Sequence, residues 1–308
     1  VSGIDWIAII ASAIAAATPL IFAAIGELVA ERAGVLNLGV EGMMLVGAVS
    51  GFAAGYTSGS MAIAFAAGAL AGMALALLFA VLTLNLQTNQ VATGLALTLF
   101  GVGLSAFAGR SFVGVALTRL PPLDIPVLGT LPLVGPLLFH HDLLVYLSIG
   151  ACAATAWFLK STRAGLRLRA VGESPAVAHA LGEPVNRIRY LAVLFGGAMS
   201  GIAGAYMSTS LTPMWVEGMT SGRGWIALAL VVFGTWKPWR VLGGAYLFGI
   251  VTVLQLYAQG LGVQVPSEFL SMLPYVATIV VLVIICRDPK TILLNQPASL
   301  GQSFHPGR

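Results

Sequence analysis

The sequence predicts an all-α, polytopic helical membrane protein of about eight to ten transmembrane segments, built as inverted repeats with broken helices. Three observations predict it. Hydrophobic residues make up 58% of the 308 positions and charged residues 8%, where soluble domains carry roughly a quarter. Twenty-six charged side chains cannot coat a water-soluble globule of this size, whereas a bundle facing lipid needs few. The apolar residues lie in long runs, with a mean hydropathy of +0.95. The 37 glycines supply the small residues on which membrane helices cross closely.

Apolar runs occur at 7–26, 36–56, 61–84, 89–109, 142–159, 188–211, 224–236, 241–262 and 269–286. Most are long enough to cross about 30 Å of hydrocarbon as helices. The first is too long, and lacks the basic flank, for a cleaved signal peptide, so it reads as a retained span. The run from Trp225 to Trp236 is about twelve residues, which fits a half-helix or interrupted span. The glycine spacings Gly47/Gly51/Gly55, Gly68/Gly72 and Gly197/Gly201 suit close crossings. The stretch 110–141, with Pro121, Pro122, Pro126, Pro132 and Pro136, reads as an irregular extracellular loop.

Charge position sets the expected orientation. Lys160, Arg163, Arg167, Arg169, Arg187 and Arg189 lie together between two apolar runs, as in a cytoplasmic loop. With that loop inside, Arg32, Lys237, Arg240, Arg287, Lys290 and Arg308 join it, and Arg110, Arg119 and Arg223 fall outside. Twelve against three puts the N-terminus outside and the C-terminus in the cytoplasm, with 287–308 as a cytoplasmic tail. The net charge of +4 is thus accounted for by membrane orientation, and no nucleic-acid partner is expected. Within the loop, Ser174 is a good N-cap, Pro175 suits the first helical position, Ala176–Leu181 favour helix, and Gly182 with Pro184 supplies a stop. Two turns are marginal alone in water, so a partner or the membrane domain must hold them, and Ala176, Val177, Ala180 and Leu181 offer apolar surface to bury.

Two segments break their apolar surroundings with glycines and polar groups, Gly34–Gly42 and Glu217–Trp225. They fall in opposite halves of the chain. Such paired breaks point to inverted repeats and a substrate path, because interrupted helices expose backbone groups that only protein or a polar cavity can satisfy. Glu41 lies inside an apolar span, where a carboxylate needs a partner or water. Asn89 suits the cap of a helix starting near Gln90. The adjacent His140 and His141 lack the spacing of a helical metal pair and are expected in an exposed loop; no metal or cofactor is expected. Cys152 and Cys286 sit in apolar runs and read as small hydrophobes. No phosphate-cradling GxxxxGK[ST] stretch and no nucleophile-and-base constellation occurs, so this chain is neither an ATPase nor an enzyme of that kind.

The stretch Glu31-Arg-Ala-Gly-Val-Leu-Asn-Leu-Gly-Val-Glu-Gly-Met-Met44 resembles the first-half signature of permease subunits from bacterial ABC importers for nucleosides and simple sugars, relatives of ribose and branched-chain amino acid permeases. Three further blocks agree: Thr88–Leu97, Gly165–Ala176 with Ala180-Leu-Gly182, and Gly222–Leu230 with Val232-Phe-Gly234. The Asn37–Gly42 form and the 88–97 block are similar to the nucleoside group. Glu183 departs from the pattern, which has an aliphatic residue after Ala-Leu-Gly.

The resemblance implies that 1–308 is one transmembrane permease domain in the bacterial inner membrane, with 160–187 as its coupling loop. It also implies three partners besides membrane lipid: a cytoplasmic ABC ATPase, a second and different permease, and an extracytoplasmic substrate-binding lipoprotein. ATPase contacts are then expected at Glu173, Ser174, Pro175, Ala176, Ala180, Leu181 and Gly182. A flat base and ribose hydroxyls make Asn37, Glu41, Asn89, Gln90, Trp215, Glu217 and Trp225 candidate path residues. The alternatives are a ribose- or galactose-type sugar permease and an ion-coupled secondary transporter, for which the acids inside apolar runs, chiefly Glu41, make a poor relay.

Overall fold

The computed structural model describes residues 6–118, 120–123, 135, 137, 139–260, 266–286 and 295–305. Every apolar run becomes a helix. In chain order these are α1 (Trp6–Arg32), α2 (Val40–Ser58), α3 (Met61–Ala80, continued by a π turn at Val81–Asn85), α4 (Gln90–Gly109) and α5 (Leu143–Ser161). Two helices, α6 (Arg163–Glu173) and α7 (Pro175–Ala180), occupy the loop between runs. The second half contains α8 (Val185–Tyr206, continued by a π turn at Met207–Leu211), α9 (Arg223–Phe233), α10 (Pro238–Gly260) and α11 (Ser267–Cys286). Among the described residues six helices are long and apolar enough to cross a membrane: α1, α3, α4, α5, α8 and α10.

The short run at 224–236 is an eleven-residue helix, as its length requires. Thr235 and Trp236 then turn the chain with φ of 49° and 53°, in the left-handed region. The chain from 110 to 123 makes a 3-10 turn at Arg110–Phe112 and two isolated bridges, Val113 to Trp215 and Ala116 to Met214. Arg119, Pro126, Pro132 and Pro136 of the irregular loop lie outside the described residues, as do Arg287, Lys290 and Arg308 of the charge count.

Three differences from the sequence reading have physical causes. Helix α1 runs past residue 26 to Arg32, because Glu27 and Glu31 find buried partners that hydropathy does not register. Residues 163–173 form an amphipathic helix capped by Thr162, whose Oγ1 accepts from the Gly165 N–H at 2.9 Å; its basic residues had disguised the buried stripe of Leu168, Val171 and Gly172. His141, expected in an exposed loop, is buried: its Nε2 lies 2.9 Å from the Leu137 carbonyl and its ring meets Tyr146 edge to face. His140 beside it is exposed.

The centre of the molecule is α1, packed against α8, α9, α10 and α5, while α2, α3 and α8 form a second tight group. Glycines set the closeness of that group. A Cβ added at Gly47 would sit 2.5 Å from the Gly201 backbone, and one at Gly68 would sit 2.9 Å from the Gly201 carbonyl. Crossings this tight have no room for a side chain, and dispersion between backbones replaces the hydrophobic driving force that lipid removes.

Candidate functional site

The first break, 33–39, joins α1 to α2 through buried, irregular backbone, so each polar group needs a partner within the protein. Side chains from three helices provide them. The Leu36 N–H donates to Gln90 Oε1 at 2.8 Å, and the Asn37 N–H donates to Glu27 Oε1 at 2.9 Å. Asn37 Oδ1 accepts from the Gly39 N–H at 2.9 Å, a local turn that delivers the chain into α2, and Asn37 Nδ2 reaches Met43 Sδ. Thr98 donates to the Leu38 carbonyl at 2.9 Å.

The two breaks meet at Glu41. Its Oε1 accepts from Thr220 Oγ1 at 2.6 Å and from the Gly222 N–H at 2.8 Å, and its Oε2 accepts from the Gly224 N–H at 2.6 Å. These N–H groups lie at the N-terminus of α9, where unsatisfied donors and the helix dipole favour an anion. Gly224 is required for the approach: a Cβ there would stand 2.5 Å from the Glu41 backbone. The opposite end of α9 is held from the same stretch of chain. Trp236 Nε1 donates to Glu31 Oε2 at 2.5 Å, and Arg32 Nη2 donates to the Trp236 carbonyl at 2.8 Å. Residues 31–41 therefore grip a short helix of the second half at both ends.

Of the residues singled out from sequence, Asn37, Glu41 and Gln90 are buried at the first break, and Asn89 is the N-cap of α4, its Oδ1 accepting from the Ala92 N–H at 3.0 Å. Trp215 is buried in a different cluster with Ala48, Val49 and Phe52. Glu217 is exposed and Trp225 half-buried. Asn37, Glu41 and Gln90 thus meet at the junction, Asn89 opens α4, Trp215 and Glu217 lie in the loop before α9, and Trp225 lies in the first turn of α9. Glu27, Glu31 and Thr220 join the junction without having been predicted; Glu27 and Glu31, each 1% exposed, share a helix face four residues apart. Glu27 Oε2, Glu31 Oε1 and Gln90 Nε2 are buried without a hydrogen-bond partner.

The predicted loop helix is present as α7. Ser174 Oγ accepts from the Val177 N–H at 3.4 Å, Pro175 occupies the first turn, and Gly182, at φ 86°, ends it. Val177 and Leu181 are 59% and 79% exposed, and Ala176 and Ala180 are exposed beside them. Ala178 turns inward against Val171, Val185 and Phe304. Glu183, the residue out of pattern, pairs with Arg167 at 3.0 Å.

The described part of the tail, 295–305, lies against this loop. Ser299 donates from N and from Oγ to the Gly172 carbonyl, at 3.0 and 2.7 Å, and the ring of Phe304 meets His179 edge to face. Arg189 ties tail, loop and break together. Fully buried, it donates from Nε to the Ala33 carbonyl, from Nη1 to the Gln302 carbonyl and from Nη2 to Ser299 Oγ, each at 3.1 Å. Gly34, at φ 85°, accommodates the cluster, since a Cβ there would press on Ser299 Oγ and Arg189 Nη2.

A family model described as branched-chain amino acid transport system / permease component matches residues 9–284. The putative glucose ABC transporter permease protein TsgC13 of Haloferax volcanii is 44% identical over 312 residues, covering 94% of this chain and 95% of its own. The nucleoside ABC transporter permease protein NupC of Lactococcus lactis is 34% identical, covering 89% of this chain and 90% of its own. The guanosine ABC transporter permease protein NupQ of Bacillus subtilis is 33% identical, covering 86% and 88%. No solved structure matches.

Proposed function

The chain belongs to the family of branched-chain amino acid transport system permease components, and from that premise we propose that it forms half of the path of a nucleoside importer driven by a separate ABC ATPase. It is a multi-pass permease subunit of an ABC transporter, a transport component. The remaining parts of the complex are a second, different permease and an extracytoplasmic binding lipoprotein. The N-terminus faces out, and the loop 160–187 and the C-terminus face the cytoplasm.

The observation that carries the reading is the link from α7 to the first break. Val177 and Leu181 leave an uncovered apolar ridge for the ATPase, and α6, Ser299 and Arg189 connect that helix to Ala33. Movement of α7 would pull on 33–39, and through Glu41 on the N-terminus of α9, so the path opens by rigid-body tilting with no chemistry on the substrate. Asn37, Glu41, Asn89, Gln90 and Trp215 shape the walls of the path; Glu217 and Trp225 remain accessible to ligand. Each unpartnered buried polar atom at the junction costs about 1–3 kcal/mol, which favours a site whose hydrogen bonds rearrange between states.

Replacing Ala180 by Asp puts a charge on the ridge. The expected result is weaker co-purification of the ATPase with permease assembly intact. Undiminished co-purification with full substrate-stimulated ATP hydrolysis sinks the assignment of α7.

The 44% identity to a putative glucose permease favours a second reading, a simple sugar as cargo. Equilibrium binding of nucleosides and of hexoses or pentoses to the cognate lipoprotein separates the two.

A further inference from the structure

A groove of about 700 Å³ separates the C-terminal half of α5 from the N-terminal half of α8. Phe158, Leu168, Leu191, Phe195 and Met199 line it, and away from its mouth Thr155 is the one polar residue among its lining. Ala154 and Leu191 are exposed along its open side. The mouth lies at the 160–187 loop, where Arg167, Glu183 and Arg187 join the lining and Arg167 pairs with Glu183. Arg187 is exposed, and the Arg167 side chain is 61% exposed while its Nε meets Glu183.

We propose that this groove binds an anionic phospholipid, with one acyl chain between α5 and α8 and the headgroup phosphate on Arg167 and Arg187. Three arguments support this occupant. An apolar groove open to the side of a membrane bundle faces hydrocarbon, and water gains little by filling it. Nucleosides and sugars need several convergent polar groups, and a single threonine cannot supply them. The mouth carries two cations and one anion, and basic pockets between membrane helices on the cytoplasmic side attract acidic headgroups. Glu183 does not close the mouth, since its pairing uses one of the five N–H donors of Arg167. Arg167 lies on α6 and Arg187 in the first turn of α8, so a phosphate shared between them braces both sides of α7. The proposal rests on the cytoplasmic placement of the 160–187 loop.

The test is native mass spectrometry of the purified complex titrated with phosphatidylglycerol or phosphatidylcholine. One phosphatidylglycerol should be retained in preference to phosphatidylcholine. Arg167→Gln and Arg187→Gln should each weaken that preference about fivefold. Ala154→Trp, which fills the open side, should abolish retention of both lipids while the complex stays intact. Equal retention of the two lipids, or retention indifferent to Ala154→Trp, overturns the proposal. So does a cross-link from Leu191→Cys to the second permease, which would make the groove a subunit interface. Failure of the orientation shows separately: labelling of Lys160→Cys by an impermeant thiol reagent in intact cells overturns the cytoplasmic placement and leaves the lipid titration unchanged.

Discussion

The two ends of the 33–41 stretch are held by buried charges of opposite sign used in opposite ways. At one end the anion Glu41 gathers a hydroxyl and two backbone N–H groups from the start of α9. At the other the cation Arg189 gathers two backbone carbonyls and a hydroxyl from the end of α1 and the tail. Neither makes an ion pair among the described residues. Each is instead held by two backbone groups and one hydroxyl, which fix direction as well as distance, and Arg223 lies near enough to Glu41 to act on it electrostatically. Each also depends on a glycine that lets the backbone come close, Gly224 at the anion and Gly34 at the cation. The difference lies in what is gripped: Glu41 holds α2 against the start of α9, whereas Arg189 holds the tail, and through Ser299 the end of α6, against the end of α1. The first should govern the path and the second its connection to the motor.

Glu41→Gln should have the largest effect. A buried N–H left without an acceptor is costlier than an under-satisfied carbonyl, and the amide presents one acceptor where three donors converge. The loss is about 1.5–3 kcal/mol, enough to lower uptake roughly tenfold or more and to lower the melting temperature of the purified permease without its ATPase. Wild-type melting and uptake would break the comparison at its stronger end.

Arg189→Lys should come next, with a different signature. A single ammonium cannot fork to three acceptors on different segments, so substrate stimulation of ATP hydrolysis should fall several-fold toward the basal rate. Assembly and basal hydrolysis should survive. Retained stimulation would show that Arg189 is packing and not linkage; lost uptake with coupled hydrolysis would move it to the path side.

How these two charges appear in the sequence explains what was legible there. Glu41 stands out because an acid inside an apolar run, among glycines, demands a partner, and the glycine-rich second break indicates where to look. The short length of α9 and the capped α7 were legible for similarly local reasons, namely run length, a Ser-Pro start and a Gly-x-Pro stop. Arg189 was hidden among five other basic residues of the loop. Its acceptors lie 110–156 residues away and two of them are backbone carbonyls, which leave no mark on composition. Glu27 and Glu31 were lost because hydropathy closed the first run at residue 26, one turn before the helix carries them into the core. The groove beside the 160–187 loop arises from how α5 and α8 are set against each other, which no local pattern encodes.

Ser299→Ala should have the smallest effect of the three, and it separates the guanidinium from the tail. The hydroxyl donates to the Gly172 carbonyl at 2.7 Å and accepts from Arg189 Nη2 at 3.1 Å. Its removal leaves Gly172 with the Ser299 backbone N–H at 3.0 Å and leaves Arg189 with Ala33 and Gln302. One neutral bond and one charge-assisted bond are lost, a net cost of about 1–2 kcal/mol, since Ser299 is buried but Arg189 keeps two of its three acceptors. Coupling should therefore soften by less than with Arg189→Lys, read as the ratio of substrate-stimulated to basal hydrolysis. Deletion of 295–308 removes the Gln302 and Ser299 acceptors together and should approach the Arg189→Lys result. If Ser299→Ala alone matches the deletion, the hydroxyl is the joint between loop and tail, and Arg189 merely supports it. If the deletion is silent, the cation grips only the end of α1, and the link from motor to path runs through α6 without the tail.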